Sequence, residues 1–148
     1  MVTFEQTFQI ALPIEAAWKT LVDGIQNSTT SNVWPHELAE IHTAQIPAKK
    51  GSHIIVHYRL GPLKRRAEYR ISEFSSPKRL CYQTTTDHPL EGGAEVRLTK
   101  SANGTSCTWS GGYRPKNLFG WPSLFWFKAY YERAFFKRLR ENLSRLSE

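Results

Sequence analysis

Apolar and polar residues alternate from Thr3 to Leu12, with Phe4, Gln6, Phe8 and Ile10 on one side and Glu5, Thr7 and Gln9 on the other. A period of two is that of a strand with one buried face. Pro13 breaks the alternation and opens Ile14-Glu15-Ala16-Ala17-Trp18-Lys19-Thr20-Leu21-Val22, where proline is tolerated at a first helical turn. Ile14, Trp18, Leu21 and Val22 then recur at helical spacing, and Asp23-Gly24 predicts the helix end. The polar residues 26–32 read as a loop or a frayed second helix that closes at Trp34-Pro35.

From residue 37 to residue 114 the pattern is strand and turn, repeated. Strands are predicted over 37–46, 53–60, 65–73, 79–87, 91–100 and 105–114. Turn chemistry separates them: residues 47–51, Gly61-Pro62, Ser75-Ser76-Pro77, His88-Pro89 and Asn103-Gly104. A hairpin at Gly61-Pro62 sets Val56 against Ala67 and Ile54 against Tyr69. A loop through Pro77 sets Ile71 against Tyr82 and Tyr69 against Thr84. A turn centred on Asn103-Gly104 sets Leu98 against Trp109, Val96 against Gly111 and Ala94 against Tyr113. All three hairpins turn their apolar residues to one face, as an antiparallel meander requires. Gly111 and Gly112, inside an aromatic strand, suit a sheet that bends sharply.

The last segment, from Pro122 to about Ser147, predicts a helix about 40 Å long at about 1.5 Å per residue. Its second half is amphipathic: Phe136, Leu139, Leu143 and Leu146 oppose Arg133, Lys137 and Arg140. Its first half is apolar nearly all round, with Trp121, Leu124, Phe125, Trp126, Phe127, Tyr130 and Tyr131, and needs a cover. The layout is therefore one α+β domain over residues 1–148: a curved antiparallel sheet of about seven strands around a long C-terminal helix, with a short helical region after the first strand.

Composition adds an excess of rings to this picture, five Trp, six Tyr and eight Phe in 148 residues. Such rings fill cores, and they also line small-molecule pockets. The net charge of +7 is scattered, its densest groups being Lys64-Arg65-Arg66 and the basic residues between Arg133 and Arg145. That spread describes a solvated surface better than a nucleic-acid footprint. Cys81 and Cys107 have no metal or redox spacing. Met1-Val2-Thr3-Phe4-Glu5 has no basic segment followed by an apolar run. The aromatic stretch between Leu118 and Phe127 is too short, and too broken by Gly120 and Pro122, to span a bilayer. A cytoplasmic protein without a metal or other cofactor is the expectation.

The order of elements, with Leu12-Pro13-Ile14-Glu15-Ala16-Ala17-Trp18 at the first strand-to-helix junction, resembles the START-like or SRPBCC superfamily. Gly51 before the third strand, Ser75-Ser76-Pro77-Lys78-Arg79-Leu80, and Asn103-Gly104-Thr105 carry the same resemblance. It covers essentially the whole chain, and its motifs are structural. It implies a helix-grip fold with a deep cavity for hydrophobic molecules, in a group whose members include lipid-transfer domains and cyclases. No catalytic motif is shared across that group, so the resemblance transfers none.

The face deduced from register carries Tyr58, Tyr69, Tyr82, Trp109 and Tyr113, opposite Phe127 and Tyr131 of the helix. These rings are either a pocket wall or a filled core. Four inward tyrosines favour a partly wet pocket, because each buried hydroxyl needs a partner. Parity places His53 and His57 outside, and places His42 with Leu38 inside, which makes His42 the imidazole candidate for proton transfer. Glu68, Glu73, Glu91, Glu95 and Arg97 fall on the solvent face. Arg114 and Lys116, at the end of the last strand, either attract an anionic head group or are merely solvated.

Binding or transport of a small hydrophobic ligand is the leading functional reading. A polyketide cyclase or dehydratase using the same cavity, with His42 or the tyrosines moving protons, is the alternative. The stretch between Leu118 and Phe127 adds peripheral membrane contact or a homodimer as a third reading.

Overall fold

The computed structural model describes residues 2–31, 33–35, 37–43, 46–60, 63–86, 88, 90–116, 121, 122, 125 and 132–145. The predicted turn at Gly61-Pro62, and Phe127, Tyr131 and most of the apolar half of the last helix, lie outside them.

Seven antiparallel strands form one sheet: β1 (Val2–Ile10), β2 (Ala39–Thr43), β3 (His53–Leu60), β4 (Leu63–Ser75), β5 (Arg79–Thr84), β6 (Leu90–Ser101) and β7 (Gly104–Pro115). Their order is β1-β7-β6-β5-β4-β3-β2, a meander with the first strand added beside the last. Helix α1 (Ile14–Gln26) follows β1, a short 3-10 helix (Ser28–Thr30) leads towards β2, and helix α2 (Glu132–Ser144) lies at the C-terminal end. The α+β helix-grip architecture predicted from the sequence is present.

Two hairpin registers match the alternation: Val56 opposes Ala67, Ile54 opposes Tyr69, and Ile71 opposes Tyr82. A bulge at Ser72 absorbs one residue between those pairs and the three-residue turn at Pro77. The third hairpin is two residues out of its predicted register. Leu98 opposes Cys107, Val96 opposes Trp109, and Ala94 opposes Gly111. The loop holds Ala102 and Asn103, and Gly104 closes it by pairing with Ser101. Gly104 has φ of +142°, and a Cβ there would stand 2.3 Å from the Ile10 carbonyl oxygen. Glycine therefore belongs beside the turn and not in its centre. An even shift preserves which side chains face inward.

Other predicted boundaries move. Helix α1 runs past Gly24 to Gln26, β2 is confined to five residues, and β5 stops at Thr84. Gly24 does not end the helix because its missing side chain admits the Trp34 indole, whose Nε1 donates to the Leu21 carbonyl at 3.0 Å. Ser28 and Thr43 tie this corner together. The buried Ser28 hydroxyl accepts from the Ile41 N–H at 2.7 Å, and Thr43 donates to the Ile25 carbonyl at 2.9 Å.

The core lies between the concave face of the sheet and the two helices. Ile10, Ile71, Leu80 and Leu98 of the sheet and Leu139 and Leu143 of α2 belong to it, all with almost no exposure. The outer face is charged. Arg79 bonds Glu73 at 2.6 Å and Glu95 at 2.7 Å, and Arg97 reaches the same Glu95 at 2.8 Å. Such half-exposed pairs define the solvent face and stabilise it little.

Candidate functional site

A cavity of about 70 Å³ lies between the sheet and α2. On the sheet side Tyr58, Tyr69, Tyr82, Trp109 and Tyr113 line it, from β3, β4, β5 and twice β7. Phe4, Ala39, Ile41, Ile54 and Val56 add to that wall, and Ile25 and Trp34 also line the cavity. The helix supplies Glu132, Phe135 and Phe136.

The rings hold one another at edge-to-face angles, an arrangement that matches ring edges to ring faces. Trp109 sits 5.2 Å from Phe136, 5.8 Å from Phe135 and 5.6 Å from Trp34, centre to centre. Tyr69 meets Tyr82 edge-on at 5.3 Å.

The polar atoms gather in one cluster on the sheet wall. Trp109 Nε1 donates to Tyr82 Oη at 3.0 Å. Tyr58 Oη and Tyr69 Oη share a hydrogen bond of 2.5 Å. His88 Nε2 lies 3.2 Å from Tyr69 Oη, and His88 Nδ1 accepts from the Leu90 N–H at 3.0 Å. The Tyr113 phenol interacts with both Tyr69 and Tyr82.

Burial governs the protonation of this cluster. It pushes the phenols of Tyr69 and Tyr113 well above the ordinary tyrosine range, with further rises from neighbouring tyrosines, and Tyr82 up to about 12. Burial, then the charge of Lys116, lowers His88 to about 4. Lys116 is held close by, its Nζ donating to the Thr85 and Thr86 carbonyls at 2.8 and 3.1 Å. At neutral pH the cluster is therefore uncharged: four phenols, an indole and a neutral imidazole.

The structure thus brings together Tyr58, Tyr69, Tyr82, Trp109 and Tyr113. Phe127 and Tyr131 are outside the described residues. His42 is a correction: it lies on the outer face, its side chain 45% exposed, with Nε2 3.0 Å from Glu40 Oε1. Ala39, Ile41 and Thr43 take the inward positions of β2. Leu38 precedes the strand, in a turn where Leu38 and Ala39 both donate to the Pro35 carbonyl, so alternation does not extend back to it. His53, paired with Glu68 at 2.7 Å, is half-exposed on the outer face as expected. Arg114 pairs with Glu91 at 2.9 Å.

Two site residues escaped the sequence reading. His88, placed in a turn, is 7% exposed and holds the tyrosine cluster. Glu132 is 5% exposed on the cavity wall. Its signal was present, because Glu132 stands four, seven and eleven residues before Phe136, Leu139 and Leu143, on the same helical stripe. Among the described residues, no group of three or more His, Cys, Asp or Glu is arranged to hold a metal ion, and no helix is long and apolar enough to cross a membrane.

Solved structures share the fold at low identity. Protein Ms6760 from Mycobacterium smegmatis is 14% identical over 97% of this chain and 92% of its own, with a TM-score of 0.68. Ara h 8.0201 is 15% identical over 99% of both chains, with a TM-score of 0.65. The Aha1 dimer from Colwellia psychrerythraea was solved in solution; it is 15% identical over 97% of this chain and 96% of that one, with a TM-score of 0.60. No curated protein matches the sequence. The family model described as polyketide cyclase / dehydrase and lipid transport matches residues 1–148, and the chain belongs to that family.

Proposed function

We propose that this protein binds a small, largely apolar molecule in the cavity between its sheet and α2, and carries or presents it. The observation that supports this is the cavity wall itself. It combines aromatic area with a few convergent hydroxyls, the make-up of sites that take apolar molecules and orient one polar group. Tyr58, Tyr69, Tyr82, Trp109 and Tyr113 are the proposed contacts on the sheet. The family's description, which includes lipid transport, points the same way.

Native mass spectrometry of the protein as purified, followed by organic extraction, tests this reading. A reproducible adduct of small-molecule mass supports it, and the extract gives the ligand class. A clean apo mass, with no change in Trp fluorescence on adding any apolar probe, removes it.

Glu132 favours a second reading, an enzyme of the cyclase or dehydratase kind. A buried carboxylate on the helix shares the cavity with phenols on the sheet, and that pairing suits proton removal beside a carbonyl that the phenols polarise. Exchange of the α-hydrogens of added cyclohexanone for deuterium, followed by NMR, reads such a step directly. It requires acceleration by the native protein and its loss in Glu132→Gln. Absence of exchange above the buffer rate leaves the carrier reading alone.

The exposed rings of Trp121 (58%) and Phe125 (66%) are the described part of the proposed contact surface for a membrane or a second copy. Sedimentation as a monomer without liposome association excludes both.

A further inference from the structure

Three rings that line the cavity stand nearly at right angles to one another. Trp109 makes an interplanar angle of 86° with both Phe135 and Phe136, and those two make 83° with each other. Three such planes meet in a single point, so the space beside these rings cannot be edge-on to all of them. At least one ring turns a face towards it, and the face is the negative pole of an aromatic ring. Tyr82 and Trp34 line the same space and are also steep to Trp109, at 85° and 68°. A cation is the guest that such faces attract. The charges on the wall agree. Among the described lining residues Glu132 alone bears a charge, and none is a lysine, arginine or histidine. Glu132 also interacts within the protein, so its charge adds to the attraction of the rings and does not replace it.

Hydrogen bonding decides which cation. The polar groups of the wall bond one another: Tyr58 with Tyr69, Tyr69 with His88, and Tyr82 with the Trp109 indole, while Tyr113 interacts with Tyr69 and Tyr82. A primary ammonium is strongly hydrated, and each of its N–H groups would need a partner from that network. A nitrogen that carries only carbon has no N–H to satisfy. It leaves the network whole and turns methyl groups to the rings. Size sets the limit. The cavity, at about 70 Å³, is below the roughly 150 Å³ known to admit a benzene ring in an apolar protein cavity. The guest is therefore a compact head group, and its entry needs some movement of the wall.

We propose that the cavity is an aromatic cage for a compact alkylated ammonium group, foremost a quaternary one. The corner formed by Trp109, Phe135 and Phe136 holds it, with the charge of Glu132 on the same wall. This inference rests on the ligand-binding reading above, and it names the class of the ligand and the group that is recognised.

The test compares tetramethylammonium, its neutral isostere 2,2-dimethylpropane, and trimethylacetate on the full chain at matched ionic strength. Binding is read from the Trp109 indole N–H resonance. The cation should bind roughly five- to thirtyfold more tightly than the hydrocarbon, the span of a desolvated contact between a cation and ring faces. Trimethylacetate should not compete, and methylammonium should bind more weakly than tetramethylammonium. Phe136→Leu removes one ring and keeps an apolar side chain. It should lower the affinity for the cation roughly two- to fivefold and that for the hydrocarbon by less, an outcome that packing alone does not predict. The comparison of ligands on the native protein needs no variant to fold. Hydrocarbon binding as tight as that of the cation overturns the inference while leaving ligand binding in place. Preferential binding of trimethylacetate also overturns it. Binding of none of the three removes the inference and counts against the ligand-binding reading with it.

Discussion

Tyr69, Tyr82 and Tyr113 differ from an ordinary tyrosine in one respect that can be titrated. Burial favours their neutral phenols, so the unfolded chain loses these protons first as pH rises beyond about 10. The stability they contribute is complete below that value and drains away as pH climbs towards about 12 and beyond. Of the six tyrosines, these three should stay un-ionised until the protein unfolds. Phenolate absorbance followed alongside circular dichroism checks this: ionisation of all six in the folded state would contradict it. His88 has the opposite sign because its neutral form is the uncharged base. Its pKa falls from the usual 6.5 to about 4. The unfolded chain therefore binds the extra proton between those values, and stability present above about 6.5 is lost as pH drops through about 4. The loss attributable to His88, which is packed against Tyr69 and faced by Lys116, should be on the order of 3 kcal/mol. Urea unfolding at pH 7 and pH 4 of the native protein and His88→Gln isolates it, since only the native protein carries this increment. Equal losses in both would contradict the assignment.

At the scale of elements, what could be read from the sequence was what alternation and helical spacing encode. The meander, the inward tyrosines and the stripe Phe136, Leu139, Leu143 all follow from side-chain periodicity. The β6–β7 register missed by two residues, yet the inward set survived, because a period of two cannot distinguish even shifts. His42 was misplaced where periodicity was extended beyond the strand into the Leu38 turn. His88 was out of reach for a related reason: its burial comes from the path of the loop between β5 and β6, which has no period. Gly24 was misread because its role depends on Trp34, ten residues away. A Cβ at position 24 would stand 1.3 Å from Trp34 Cδ1 and 1.6 Å from its Nε1. Gly24→Ala should therefore destabilise the protein despite a helix-propensity gain of about 1 kcal/mol. Displacing the indole costs roughly 1–3 kcal/mol in overpacking, and breaking its bond to Leu21 adds about 1 kcal/mol. The expected net loss is roughly 1–3 kcal/mol, measured by urea unfolding. Because Trp34 also lines the cavity, probe binding should fall with it. A variant more stable than the native protein would show that Trp34 has another place to go.

For the molecule as a whole, the cavity is a departure from the close packing that a folded interior otherwise reaches. The sheet curves around helices that leave about 70 Å³ unfilled beneath a wall rich in rings, although small changes in side-chain size would fill that space. A void kept for a ligand makes filling it a trade between stability and binding. Ala39 is the place to test this. It is fully buried, lines the cavity and sits on β2, where a β-branched side chain suits the backbone. Ala39→Val adds two carbons, worth about 1–1.5 kcal/mol if they enter empty apolar space. For a chain of this length that corresponds to a rise of roughly 3–6 °C in melting temperature. The same variant should bind apolar probes more weakly, because the volume is no longer there to receive them. Higher stability with weaker binding is the result expected of a cavity maintained for a guest. Lower stability would mean that the space beside position 39 is already closed and the valine overpacks it. Higher stability with unchanged binding would place the guest elsewhere and count against the cavity as the site.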